Sequence, residues 1–261
     1  MTEYALRAGD GAVGRLRLLA RVHRAATEAL VDRIGAREGQ AWLDLGCGIG
    51  DVSRLLAERG ARVTAVDADE GAVKAARDGL ADFGDAVEVR VGRAQDLSDV
   101  GRFDFVYARC LLSHLAARDD VLAGMVRAAR TGGTVAVEDV DFSGAFCHPA
   151  CDAFDRYCEL YRAVVVARGG DPLLGRALPS MLAHHGLADV EALAVQPAFV
   201  AGEGKAMPHV TLEHLRESIV SASLTTGAEI DVLVAELRAF EVRLDSLVAM
   251  PRVVQTWGRV T

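Results

Sequence analysis

Lysine is nearly missing from this chain: Lys74 and Lys205 are the only two, so arginine carries almost all the positive charge. Acids outnumber basic residues 37 to 29, giving a net charge of −8, which argues against a broad nucleic-acid-binding face. No apolar run approaches the ~18 residues that would suggest a membrane span. The first residues carry Glu3, Arg7 and Asp10 without an apolar h-region, so no secretory leader is expected. The five cysteines are odd in number and form no C-x-x-C pair, which points to reduced thiols rather than a disulfide framework. Cys147-His148…Cys151 has no obvious fourth ligand, so no metal site is expected. These absences describe a cytoplasmic protein with neither membrane nor nucleic acid as partner. With 261 residues, 51% of them hydrophobic, the chain is long enough for one large α/β domain with insertions.

What is present is concentrated at residues 41–50, Ala-Trp-Leu-Asp-Leu-Gly-Cys-Gly-Ile-Gly. A short apolar strand runs into three glycines spaced two apart, with Asp44 just before them. A second apolar run, Val63–Val66, ends in Asp67. Glycine lets the chain turn sharply and pass close to a ligand. A helix beginning near Asp51 would aim free backbone N–H groups at that ligand. An acid about twenty residues on can accept hydrogen bonds from both ribose hydroxyls. The pattern therefore predicts a nucleoside-bearing cofactor at the edge of a parallel sheet.

Periodicity extends this plan along the chain. Residues 13–35 have apolar positions at helical spacing, from Val13 and Leu16 to Leu30 and Ile34, and predict a helix before the first strand. Strands are expected at 41–45, 62–66, 86–91, 103–107 and 133–139, and helices at 51–59, 69–81 and 118–130. Such alternation implies a parallel sheet covered on both faces. Further on, helices are expected at 150–168, 173–185, 211–224 and 228–248, with strands at 188–196 and 252–258.

The glycine spacing separates two cofactor classes. Dinucleotide enzymes use G-x-G-x-x-G, whereas here the third glycine comes one residue early. Asp44-Leu45-Gly46-Cys47-Gly48-Ile49-Gly50 resembles instead the first motif of class I S-adenosylmethionine (SAM) methyltransferases. The likeness extends over nearly the whole chain and is strongest to the quinone-biosynthesis type, a subgroup that includes many natural-product methyltransferases. It implies a Rossmann-like α/β fold: a seven-stranded, mostly parallel sheet with helices on both faces, the last strand antiparallel, and helical lid insertions. The single domain 1–261 would divide into an N-terminal helical cap (1–35), a SAM-binding core (36–141), a lid insertion (142–187) and C-terminal strands with a second helical insertion (188–261).

The resemblance also implies site residues. Asp44, Gly46, Cys47 and Gly48 would wrap the methionine part of SAM. Asp67 would hold the ribose diol, with Ala68 against the adenine; the alternative for both acids is helix capping. Relatives often carry an acid where this chain has Arg93, so adenine recognition passes to the Ala94 backbone and Gln95, while Asp96 is a candidate turn cap. The Ala108 carbonyl and Arg109 would face the methionine end, and His114 is expected to be a packed structural histidine. Tyr4 would fold over the site.

Methyl transfer from a sulfonium is an in-line displacement on an activated donor, so alignment and water exclusion are the main demands, and no universal catalytic residue is expected. His148 is the preferred candidate base, because its ordinary pKa lies near neutrality; Asp139 and Asp141 are the others. Phe142, Phe146, Phe154, Tyr157 and Tyr161 would supply an aromatic wall, with ordinary lid packing as the alternative. The expected activity is methyl transfer from SAM to oxygen, nitrogen or carbon of a small-molecule acceptor, with S-adenosylhomocysteine (SAH) as product. The alternative is a SAM-bound enzyme catalysing a non-methylating reaction such as cyclisation. A monomer or homodimer is expected.

Overall fold

The computed structural model describes residues 10–261, with side chains from residue 13 onward; Tyr4 lies outside the described residues. Helix α1 (Asp10–Arg33) precedes strand β1 (Ala41–Leu45). There follow α2 (Asp51–Glu58), β2 (Arg62–Asp67), α3 (Glu70–Leu80), β3 (Val87–Val91), β4 (Phe103–Arg109), α4 (Arg118–Ala128) and β5 (Ala129–Asp141). The main sheet has the order β3-β2-β1-β4-β5-β10-β7, where β7 is Ala188–Val195 and β10 is Arg252–Arg259. The pairs β1–β2, β2–β3, β1–β4 and β4–β5 are parallel, and β10 runs antiparallel to both β5 and β7. This is the seven-stranded Rossmann-like arrangement expected, with the last strand antiparallel.

Alternation along β1 explains why the sheet is buried on both faces. Leu43 and Leu45 enter one core with Val106, Val137 and Met125, while Trp42 enters the opposite one with Leu30, Leu56 and Tyr107. Trp42 stacks on Phe105 across the parallel β1–β4 pair, with ring centroids 4.1 Å apart. Asp44 has the same parity as Trp42 and so faces α1 and α2. The order of strands reverses between β1 and β4, and a ligand crevice opens at their carboxyl ends.

A helical lid stands over that crevice. Helices α5 (Asp152–Ala167), α7 (Met207–Ser221) and α8 (Gly227–Glu241) share a core that includes Phe154, Leu160, Leu212, Leu215 and Ile230. Leu18 of α1 packs with Met207 and Met250, which ties the first helix to the lid. A second, three-stranded sheet joins β6 (Phe146–His148), β9 (Leu247–Ala249) and β8 (Ala198–Phe199) in the order β6-β9-β8.

Two expected helices are shorter than their apolar spacing suggests. The segment 173–185 is a 3-10 turn (Leu174–Ala177) followed by α6 (Leu178–His184). Pro179 lies in the first turn of α6, and it has no N–H to continue a helix from the residues before it. The expected helix 228–248 ends at Glu241, and residues 247–249 are a strand instead. The buried Lys205 ammonium donates to the Arg243 carbonyl at 2.6 Å and to Ser246 Oγ at 2.7 Å. A cation on carbonyls just beyond the helix end is a favourable stop.

Candidate active site

The crevice is built from the β1–α2 loop upward. The N–H groups of Gly46 and Cys47 both donate to the Val66 carbonyl, at 2.7 and 3.1 Å, which fastens the loop to the end of β2. Asp67 completes the fastening: one carboxylate oxygen accepts from the Gly48 N–H at 2.8 Å and the other from the Asp69 N–H at 2.9 Å. Gly48 has φ +55, and a β-carbon there would meet only Leu16, at 3.8 Å or more. A side chain at this position would thus project into the gap between loop and α1. Gly50 has φ +80, and a β-carbon there would come within 2.7 Å of Leu80. The first glycine leaves room for a ligand and the second lets α2 pack on α3.

Asp44 is 2% exposed and accepts from Ser53 Oγ at 2.6 Å. Burial raises its pKa to about 6, against the lowering effect of that bond and of the Arg109 charge. Burial also pushes the Asp67 carboxyl up, opposed by the two N–H groups it accepts from. Two desolvated carboxylates at one end of a crevice favour a cationic or hydroxyl-rich ligand. Arg109 donates to Thr27 Oγ1 of α1 at 3.2 Å and lies 3.8 Å from Asp51.

These groups line one cavity of about 1150 Å³ of empty space, counted out to its mouth. Asp44, Gly46, Cys47, Gly48, Asp67 and Arg109 all lie on its wall, and so do Phe142, Tyr157 and Tyr161. Phe142 stacks on Tyr161 at 3.9 Å, and Tyr157 meets both edge-on. Phe154, by contrast, packs within the lid core. Ala68, Ala94, Gln95 and Ala108 are not on the wall. Ala68 is exposed beside Asp67, and Ala108 is fully buried inside β4. Ala94 and Gln95 form the turn after β3, which Gly92 joins to the Asp67 carbonyl at 2.9 Å.

Two expected site residues are misplaced. His148 and Phe146 belong to β6 and stand away from the cavity. Both are exposed, whereas Cys147 between them packs toward the lid core. With a period of two along a strand, turning Cys147 inward turns both neighbours to solvent. The remaining base candidates are held structurally. Asp139 accepts from the N–H groups of Ser113 and Val140 at 2.9 and 2.8 Å. Asp141 accepts from Arg176 at 2.7 Å, from Arg252 at 3.0 Å and from Ser143 Oγ at 2.8 Å.

With this geometry, the likeness to known proteins can be placed. Residues 43–137, which run from β1 to β5 and include the loop and both acids, match the family model described as a methyltransferase domain. That segment is similar to a methyltransferase domain. The chain is 31% identical over 153 residues to the methyltransferase GfsG of Streptomyces halstedii, covering 56% of this chain and 54% of that one. It is likewise 31% identical to the ubiquinone biosynthesis O-methyltransferase of Pseudomonas aeruginosa, over 42% of this chain and 49% of that one. The chain thus spans about half the length of the curated relatives it matches. Among solved structures, a phosphoethanolamine N-methyltransferase of Haemonchus contortus, bound to phosphomonomethylethanolamine and SAH, shares the fold with a TM-score of 0.56. That alignment covers 89% of this chain and 51% of the other at 21% identity.

The cavity has wall residues that motif reading passed over. Arg15, Leu19 and His23 lie on one face of α1 and line the cavity, as do Met207 and Thr211 of α7 and Met250 before β10. The spacing of four from Arg15 to Leu19 to His23 was a legible signal of a shared face. His23 and His114 are 3% and 2% exposed. Desolvation, reinforced by Arg109 for His23 and by Arg15 for His114, lowers each ring to a pKa of about 3. Burial takes the Cys110 thiol up to about 12.

Proposed function

We propose that this chain is a SAM-dependent methyltransferase acting on a small-molecule acceptor. The observation that carries the reading is the junction of Asp67 with Gly48, which sets a half-buried carboxylate beside a glycine cradle open toward α1. The residues present fit SAM. Gly46, Cys47 and Gly48 would lie against its methionine part, with Asp44 toward the ammonium and Asp67 toward the ribose hydroxyls. Ala68, Ala94 and Gln95, in the adjoining turns after β2 and β3, would flank the adenine. Arg109 would close the methionine end, with Ala108 buried behind it in β4. SAM, when bound, supplies a methyl group already activated on a sulfonium.

The chain's own work is then positioning and exclusion of water, which can supply roughly 7–11 kcal/mol of a barrier. Phe142, Tyr157 and Tyr161 hold an apolar body beside the glycine loop, and α5 and α7 close over it. No histidine on the wall is basic enough to take a proton near neutrality. An acceptor atom that is already a competent nucleophile, such as an ionised oxygen, an enolate carbon or a free amine, suits such a wall. On this reading residues 36–141 bind the cofactor, 1–35 cap it, and 142–187 with the helices of 188–261 form the lid.

Calorimetry with SAH and with NAD tests the cofactor, since the reading requires heat of binding from SAH alone. Incubation with methyl-labelled SAM and a small-molecule extract of the producing cells tests the reaction. The label should move into a low-molecular-weight product one CH₂ heavier than its precursor. Turnover of an acceptor without transfer of label would favour a non-methylating reaction.

A further inference from the structure

Arg15 is a cation at the lid end of the cavity, with little to pair with among the described residues. It is 6% exposed and lines the cavity wall. Among the described residues its one hydrogen bond runs from Nε to Thr211 Oγ1, at 3.3 Å. No ion pair to Arg15 is found among them. A guanidinium has five N–H donors in a rigid fork, so its two terminal nitrogens are left with nothing to donate to among the described residues. Taking such a charge out of water without a counter-charge costs several kcal/mol, and a fold retains it when a ligand supplies the missing anion.

The rest of the wall narrows what that anion is. The carboxylates on the cavity wall, Asp44, Asp51, Asp67 and Asp69, belong to β1, α2 and the end of β2, the end proposed for the cofactor. Arg109 is engaged there with Asp51 and Thr27. At the other end the charge of Arg15 acts on His114, Tyr157 and Tyr161, so these groups share one neighbourhood. The acid that also acts on Tyr161 is Asp139, and its oxygens are taken by backbone N–H groups. The cavity is thus polarised, with acids where the sulfonium nucleoside would lie and a bare guanidinium among aromatic rings where the acceptor would lie.

We propose that Arg15 anchors the acceptor through a carboxylate, so that the substrate class is a flat, apolar acid lying against Phe142, Tyr157 and Tyr161. The inference rests on the methyltransferase reading of the same cavity. A carboxylate matches the guanidinium fork with two parallel bonds, and the aromatic wall suits a conjugated body. Thr211 takes Nε, which leaves the outer nitrogens for the ligand.

The test uses cinnamate and its neutral amide, cinnamamide, titrated by calorimetry into the full chain saturated with SAH. Cinnamate should bind at least tenfold more tightly than the amide. Arg15→Gln should reduce cinnamate to the level of the amide and leave the SAH affinity within twofold. Arg15→Lys, which keeps the charge but loses the fork, should fall between. Equal binding of the two probes, or binding of neither, would overturn the proposal without any variant. A loss of SAH affinity in Arg15→Gln would also overturn it, by assigning the guanidinium to the cofactor's carboxylate. Failure of the underlying reading looks different: the unaltered protein would then not bind SAH at all.

Discussion

The Asp67 carboxylate and the Gly48 N–H meet at 2.8 Å, and this bond joins the end of the second strand to the turn after the first. One side chain thereby serves the fold and, on the proposed reading, the ligand as well. Asp67→Ala should raise the dissociation constant of SAH at least tenfold and also lower thermal stability, since the N–H groups of Gly48 and Asp69 lose their acceptor. Asp67→Asn retains one acceptor oxygen and should recover part of the stability but little of the affinity. Calorimetry and thermal melts on both variants check this, and unchanged SAH affinity in Asp67→Ala refutes the ribose assignment.

The two glycines should fail in different ways. Gly50→Ala sets a methyl group within 2.7 Å of Leu80 at a left-handed φ, so about 2–4 kcal/mol of stability should be lost. Gly48→Ala meets no atom closer than 3.8 Å and should cost only about 1–2 kcal/mol, from the backbone alone. Its methyl group fills the cradle, however, so SAH binding should drop by more than tenfold. Urea denaturation and calorimetry on the pair separate these effects; equal behaviour of the two variants would contradict the cradle.

Asp44 gives cofactor binding a pH dependence. Its carboxyl titrates at about 6 because burial disfavours the charged form. If the ionised form meets the SAM ammonium, affinity should hold above pH 7 and fall roughly tenfold by pH 5. Asp44→Asn should bind weakly at every pH and lose that slope. A flat profile in the unaltered protein removes Asp44 from the ammonium contact.

Acid stability follows from His23 and His114. In the unfolded chain both rings take a proton as pH falls below about 6.5, whereas in the fold they do so only near 3. Each ring's stabilising contribution is present above 6.5 and lost as pH falls toward 3, by about 2 kcal/mol at pH 5. Asp44, whose folded pKa is raised, acts the other way by about 1.4 kcal/mol over the same interval. His23→Gln should therefore flatten the stability curve between pH 7 and 5. Urea midpoints at the two pH values measure it, and parallel curves for variant and parent would contradict the buried neutral ring.

The sheet was legible because parallel strands buried on both faces read as short apolar runs; the first strand was expected at 41–45 and is Ala41–Leu45. The end of the cavity proposed for the cofactor could be read because Asp44, three glycines and Asp67 lie close in sequence, and the fold brings both acids, Gly46 and Gly48 to one wall. The lid could not. Strands β6, β8 and β9 have two or three residues each, too few to show alternation, and their pairing joins residues far apart in the chain. Without β6, nothing in the sequence could say that His148 faces solvent. Arg15 was legible only as one position of a helix face shared with Leu19 and His23. It is one of several arginines on an amphipathic helix, and only its burial under α7 distinguishes it from its exposed neighbours.

His148 itself now carries a clear expectation. It is exposed on a strand outside the cavity, so His148→Ala should retain full turnover with any acceptor found. A loss beyond threefold in kcat, with unchanged SAH affinity, would bring the lid strand back to the chemistry.

The most direct measurement is a crystal structure of the chain grown with excess SAH. The account requires the nucleoside over the β1–α2 loop, with both ribose hydroxyls within hydrogen-bonding distance of Asp67 and the homocysteine sulfur turned toward Phe142 and Tyr161. SAH bound elsewhere on the molecule, or a different nucleotide held in that crevice, would contradict it.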